Sequence, residues 1–238
     1  MPTIKTALVT GAAARIGASI ARHLHQRGLN LVIHYHSNAA DAENLASELN
    51  QSRAQSAVVA QADLSGMAGV EQLATQTHTA LEAWGSTLDV LVNNASRFYP
   101  TSLSEAQIDE WDDLVNSNLR GPYFLIKALA GSLQDGGGSI INILDIHSER
   151  PMQGHTIYCI SKAGLNMLTM SLARELGPGI RVNGVSPGAI LWPENEMSEV
   201  AKETILDRTA LKRLGDPADI ASAVAYLALD APYVTGQV

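Results

Sequence analysis

The sequence predicts an α/β fold, a doubly wound parallel sheet with helices on both faces, and three observations carry that prediction. Short β-branched runs alternate with longer stretches of helical periodicity along the whole chain. The runs are continuously apolar, as strands covered on both faces must be. Small and polar residues gather just after four of these runs, where sheets of this kind bind ligands.

Taken in order, "TALVTG" precedes a helical segment from Ile16 to Gly28, "LNLVIHYH" one from Ala40 to Asn50, and "SAVVAQAD" one from Gly69 to Trp84. "LDVLVNNAS", "GSIINILD" and "GIRVNGVSPG" follow, each again succeeded by a segment compatible with a helix. Parallel strands joined through helices require right-handed crossovers. A chain of 238 residues buries one large core, so a single domain spanning 1–238 is expected.

Composition narrows the function. With 46% hydrophobic and 17% charged residues the chain reads as a globular protein without low-complexity tracts or repeats. A net charge of −8 with only 16 Lys and Arg argues against a nucleic-acid partner. Cys159 stands alone, so no internal disulfide is expected, and the opening "MPTIKTALVTGAA" lacks the basic-then-apolar plan of a secretion signal. No apolar run approaches the roughly 20 residues needed to span a bilayer, so no membrane partner is expected and a cytoplasmic location is.

The first strand end, "TGAAARIG" from Thr10 to Gly17, is a phosphate turn of Rossmann-like type. Its small residues, Gly11 and Gly17 among them, admit a pyrophosphate, and the helix N-terminus at Ile16 offers free N–H groups. Arg15 replaces the middle glycine of the plain fingerprint; its guanidinium either forks onto cofactor phosphates or faces solvent on the first helical turn. The second strand ends in "HYHSN" with no acid before Asp41, whereas a cofactor lacking a 2′-phosphate usually meets one here. His36, Ser37 and Asn38 offer donors, so NADPH is expected over NADH. His34 and His36 share a strand face, but without a third ligand nearby no metal is expected.

Tyr158 and Lys162 fall one turn apart on a helix from Thr156 to Leu176. An ammonium about 4 Å from the phenol contributes on the order of 4 kcal/mol at an effective dielectric of ~20, which predicts an acidified tyrosine that donates protons near neutrality. The same lysine can hold the nicotinamide ribose. Asn118, on the preceding helix, either opens a helical bond and holds water that reprotonates Lys162 or is a buried structural amide. Asn93 and Asn94 are read as architectural, and Cys159 as packing.

These residues resemble the short-chain dehydrogenase/reductase superfamily from Thr6 to Gly236, and within it the pteridine reductases. Three features carry the narrower resemblance: the turn TGxxxRxG with Arg15, the segment "NNASRFYPT" after the fourth strand, and Asp145 thirteen residues before Tyr158, where ketone-reducing members place serine. A carboxylate there would repel a developing carbonyl oxyanion. Pterin reduction instead delivers hydride to carbon and a proton to a ring nitrogen, so an acid beside Tyr158 can assist; otherwise Asp145 only caps a loop.

The resemblance also implies further roles. Phe98, unless a core residue, stacks on the pterin; Ser96, following Ala95, reaches cofactor phosphates or pterin; Asp63 binds the adenine amino group. Pro187 and Gly188 after the sixth strand line the cofactor. A substrate loop at about 187–212 closes over the site, with Trp192 excluding water and Arg15 reaching the substrate.

Two departures from the family stand out: Ser37 replaces an arginine found in some members, and the usual last strand and Asp-Gly-Gly turn do not follow "YVTGQV". Leu165, Met167, Leu168, Met170 and Leu172 make the catalytic helix apolar on several faces, which with the resemblance implies a homotetramer. The expected activity is NADPH-dependent reduction of dihydropterins or dihydrofolate. A carbonyl reductase on a ketone or 3-oxoacyl substrate is the alternative, and a non-catalytic nucleotide sensor a more distant one.

Overall fold

Successive residues of a strand point to opposite faces, and here both sets are apolar. In β1 (Lys5–Val9), Ala7 and Val9 enter one core while Leu8 enters the other. The same alternation separates Leu31 and Ile33 from Val32 in β2 (Asn30–Tyr35), and Ile141 and Ile143 from Ile140 in β5 (Ser139–Ile143). A sheet with two buried faces needs two helical layers, and the computed structural model, which describes residues 5–135, 137–192 and 198–238, supplies them.

The remaining strands are β3 (Ala57–Gln61), β4 (Thr87–Asn93) and β6 (Arg181–Val185), and all six pair in parallel in the order β3-β2-β1-β4-β5-β6. This is the Rossmann-like doubly wound order, with its crevice between β1 and β4. One face packs on α1 (Arg15–Gln26), α2 (Ala39–Ser52) and α8 (Pro217–Ala225), through residues such as Ile20, Leu45 and Val224. The other packs on α3 (Met67–Trp84), α5 (Gly121–Asp135) and α6 (Thr156–Glu175), through Leu73, Leu129 and Leu172. The alternation read from the sequence is therefore found, with helices beginning one or two residues earlier than expected at α1, α2 and α3.

Two irregularities shape the ends of the sheet. Between Thr6 and Ala7 the register against β4 skips Asp89, whose Oδ2 accepts the Thr6 N–H at 2.9 Å. That bulge lets Leu88 and Leu91 share one face despite their odd spacing. Between β4 and β5 the crossover holds α4 (Ile108–Val115), a π-helical turn at Asn116–Arg120, and then α5, a subdivision the sequence reading did not anticipate.

A buried polar rung ties β4 to β5 and α6. Asn93 Nδ2 donates to Asn142 Oδ1 at 2.8 Å, and Asn142 Nδ2 donates to Thr169 Oγ1 at 2.8 Å. In a low-dielectric core such a rung fixes the height of α6 along the strands, because a slipped register would leave amides unpaired. At the far edge Gly236 N–H donates to Val182 O at 2.7 Å and Gly184 N–H to Gln237 O at 2.8 Å, so the "YVTGQV" segment runs beside β6.

Helix α6 is not buried all round by its own chain. Leu165 and Leu172 are covered, whereas Met167 is 61% exposed and Met170 also faces outward. Among the described residues no helix is long and apolar enough to cross a membrane.

Candidate active site

The carboxyl ends of the strands are tied together before any ligand arrives. Thr10 Oγ1 accepts the N–H groups of Asn94 and Ala95 at 2.9 and 3.0 Å, and Asn94 Nδ2 donates to the carbonyls of Thr10 and Gly11 at 2.9 and 3.0 Å. Asn94 thus locks the β4 end against the phosphate turn, the architectural duty expected of it. The glycines fit this closeness: Gly11 sits at φ +61 with Ala95 Cα only 2.9 Å from where a Cβ would stand, and a Cβ on Gly17 would lie 2.2 Å from Gly11 O.

His34 makes a further tie that sequence reasoning missed. Its buried ring accepts the Gly11 N–H at Nδ1, 3.0 Å away, which leaves Nε2 to donate to Ala62 O at 3.2 Å. Burial lowers its pKa to about 4, so the ring is neutral. Strand alternation alone places His34 inward, and that was the available signal. Among the described residues no group of three His, Cys, Asp or Glu is disposed to hold a metal ion.

Beyond these ties lies a cavity of about 410 Å³. Every residue expected on the cofactor side up to Ser96 lines it: Gly11, Arg15, Ile16 and Gly17 from the turn, His36, Ser37 and Asn38 after β2, Asp63 after β3, and Asn94, Ala95 and Ser96 after β4. Tyr158, Lys162, Pro187 and Gly188 are not part of this lining. Pro187 instead accepts the Ile146 N–H at 3.3 Å, holding the loops after β5 and β6 together.

Arg15 begins α1 at φ +53, a left-handed conformation costly for a side chain with a Cβ. Its Nη2 donates to Trp192 O at 3.2 Å, which brings the start of the expected substrate loop to the phosphate turn. Residues 193–197 of that loop lie outside the described residues. The rest is not all loop: α7 (Glu199–Arg208) occupies it, capped by Ser198 Oγ, which accepts the Ala201 N–H at 3.3 Å.

At the other end of the site, Tyr158 Oη donates to Asp145 Oδ2 at 2.7 Å. Asp145 Oδ1 accepts the His147 N–H at 2.8 Å, capping the short 3₁₀ turn Ile146–Ser148. The two readings of this acid were therefore not exclusive, since one oxygen caps and the other faces the phenol.

Lys162 lies one turn beyond Tyr158, buried, with Nζ donating to Ile143 O at 2.9 Å and standing 5.9 Å from the centre of the Tyr158 ring. Burial lowers its pKa to about 8, against the opposing pull of Asp145. Tyr158 is not acidified as the spacing to Lys162 predicts. Its pKa is raised, first by burial and then by the charge and hydrogen bond of Asp145. Asp145 is closer to the phenol oxygen than the ammonium, whose one described bond goes to a backbone carbonyl.

Asn118 is buried within the π-helical turn, so a helical bond is indeed displaced there. Its side chain, however, does not bond to Lys162. Oδ1 accepts the Arg97 N–H at 2.8 Å, while Nδ2 donates to Arg97 O at 3.0 Å and Ser161 Oγ at 3.1 Å. The amide orients the loop after β4 and the start of α6.

Phe98 is 47% exposed and so is not a core residue. It meets Tyr158 edge-on at 4.8 Å between centroids and stacks on His155 at 4.9 Å, 13° from parallel. His155 was not singled out from sequence; its place at the N-cap of α6 was the only hint. Asp63 is engaged by Ser65, whose N–H and Oγ both donate to Oδ1, at 3.0 and 2.8 Å. Cys159 is buried packing whose Sγ accepts the Met152 N–H at 3.3 Å.

Comparison with known proteins agrees with this geometry. Residues 11–238 match the family model described as enoyl-(acyl carrier protein) reductase. The chain is 38% identical to pteridine reductase 1 of Leishmania tarentolae, covering 99% of this chain and 94% of that protein. It is 36% identical to the 3-oxoacyl-[acyl-carrier-protein] reductase FabG of Staphylococcus aureus, covering 100% and 96%. It is 34% identical to the uncharacterized oxidoreductase YmfI of Bacillus subtilis, covering 98% and 96%.

Two measurements test this description. Arg15→Gly removes a left-handed side chain worth roughly 1 kcal/mol of strain, so the variant should melt no lower than the parent while binding NADPH more weakly by isothermal titration. Lys162→Met removes a buried cation whose folded pKa lies below its unfolded value of 10.5. The ammonium therefore costs stability below about pH 8, and the cost fades as pH rises towards 10.5. Thermal melts should show Lys162→Met above the parent at pH 7, with the gap narrowing by pH 10.

Proposed function

The chain belongs to the short-chain dehydrogenase/reductase family and is an oxidoreductase of it, and we propose that it is an NADPH-dependent pteridine reductase converting dihydropterins or dihydrofolate to the tetrahydro form. The observation that carries this reading is the 2.7 Å bond from Tyr158 Oη to Asp145 Oδ2. A ketone reductase needs a neutral donor at that position, because carbonyl reduction builds negative charge on oxygen and a carboxylate opposes it. A ring C=N presents a nitrogen that must gain a proton, and pterin rings also carry N–H donors that a carboxylate accepts.

The cavity over the strand ends fits a dinucleotide: the Gly11 and Gly17 backbone leaves room for phosphates, while Arg15 and His36 supply positive or donor groups for the 2′-phosphate. When bound, NADPH supplies the hydride. The chain's own residues manage the proton. Tyr158, with its pKa raised, stays protonated at neutral pH and is loaded as a donor. A phenolate left beside Asp145 is unfavourable, and the Lys162 charge behind the ring offsets part of that cost.

In this reading Phe98, which is 47% exposed and stacked on His155, is the ring that packs on a flat substrate. Ser96 and Trp192 complete the substrate surroundings, with Trp192 limiting water entry from the Arg15 side. The site forms within a single domain.

The exposed Met167 and Met170 support a homotetramer, since an apolar stripe on a central helix is stabilised by a second subunit. The FabG relatives keep a 3-oxoacyl reductase as the second reading.

The assay that decides between them follows NADPH oxidation with dihydrobiopterin, dihydrofolate and an acetoacetyl thioester. Turnover is expected with the pterins, falling about 100-fold in Asp145→Ser; turnover of the thioester alone would overturn the reading. Sedimentation of Met167→Glu/Met170→Glu should show a smaller species than the parent.

A further inference from the structure

Arg97 is placed with unusual care for a residue in a loop. The Asn118 amide holds both its N–H, at 2.8 Å, and its carbonyl, at 3.0 Å. From that fixed backbone the guanidinium extends to Asp113 Oδ1, while the other Asp113 oxygen accepts the Tyr99 hydroxyl at 2.9 Å. Its Nη2 also stands 3.8 Å from Asp63 Oδ1, and the opposite oxygen of Asp63 is 3.7 Å from His36 Nε2. Asp63 follows β3 and Arg97 follows β4, two strands separated in the sheet by β2 and β1.

Strands lie about 4.8 Å apart, so the ends of β3 and β4 are separated by roughly 14 Å of sheet. The Arg97 to Asp63 contact therefore crosses the crevice instead of decorating its rim. Both residues line the same cavity as the phosphate turn. We propose that Arg97 is an adenosine clamp, a positioning residue whose planar guanidinium covers the adenine half of the cofactor as it lies between the β2 and β4 ends. A guanidinium over a flat heteroaromatic ring gains both electrostatic and stacking contact. Because the clamp acts on adenine, it serves NADPH and NADH alike, unlike the donors after β2. Through Asn118 the same residue connects cofactor seating to the start of α6.

The inference rests on the proposed nicotinamide cofactor but not on the pterin. Binding of NADPH and of NADH to the parent, Arg97→Gln and Arg97→Lys is measured by titration calorimetry, with kcat taken at saturating NADPH. Arg97→Gln should raise both dissociation constants by the same factor, about tenfold, with kcat within about twofold of the parent. Arg97→Lys, which keeps the charge beside Asp113 and so protects the fold, should lose affinity similarly because it lacks the plane. Unchanged binding in both variants would mean an exposed ion pair of little energetic weight and would overturn the clamp. A loss confined to NADPH would move Arg97 to the 2′-phosphate and overturn it as well. A parent that binds neither nucleotide would sink the cofactor reading together with the clamp, whereas a parent that binds both but ignores pterins leaves the clamp standing.

Discussion

The site depends on keeping an ammonium inside the protein. Lys162 is buried, and its described hydrogen bond goes to a backbone carbonyl at the end of β5. An uncompensated internal cation is expensive. The surrounding architecture accounts for how it is tolerated: β5 presents the Ile143 carbonyl, the next turn presents Asp145, and α6 is held at the right height by the Asn142 to Thr169 bond. If that rung slipped by a turn, the ammonium would lose its acceptor and Tyr158 would lose Asp145.

The same logic explains why Tyr158 holds its proton. In the isolated pair of tyrosine and lysine, charge attraction favours a phenolate. Inside the protein, burial and the adjacent Asp145 oxygen outweigh it. The geometry thus gives a phenol that keeps its proton, hydrogen-bonded to Asp145, with the Lys162 ammonium 5.9 Å from the ring centre.

Much of this was legible in the residues. The alternation of apolar runs gave the sheet, because side chains on both faces of β1, β2 and β5 had to be apolar. Strand ends gave the cofactor side, because a parallel sheet gathers its loops at one end. What stayed hidden were contacts between segments distant in sequence: His34 against Gly11, His155 on Phe98, and the Asn118 amide around Arg97. The sign of the tyrosine shift was hidden for a related reason. Spacing places Lys162 beside Tyr158 but says nothing about which charged atom comes nearer to the hydroxyl. Likewise α7 escaped notice because none of its residues is buried, so it has no apolar stripe to betray it.

The imidazole of His34 sets an acid limit for the cofactor turn. It bridges Gly11 and Ala62 only while neutral, and its pKa of about 4 lies below the ordinary 6.5. Below pH 6.5 the unfolded chain takes up a proton that the folded ring refuses, so this group's support drains away between 6.5 and about 4. Once protonated, Nδ1 can no longer receive the Gly11 amide, and the loop that would cradle a pyrophosphate loses its anchor to the neighbouring strand. Acidification would then loosen the phosphate turn from β2, at the end of the sheet away from Tyr158.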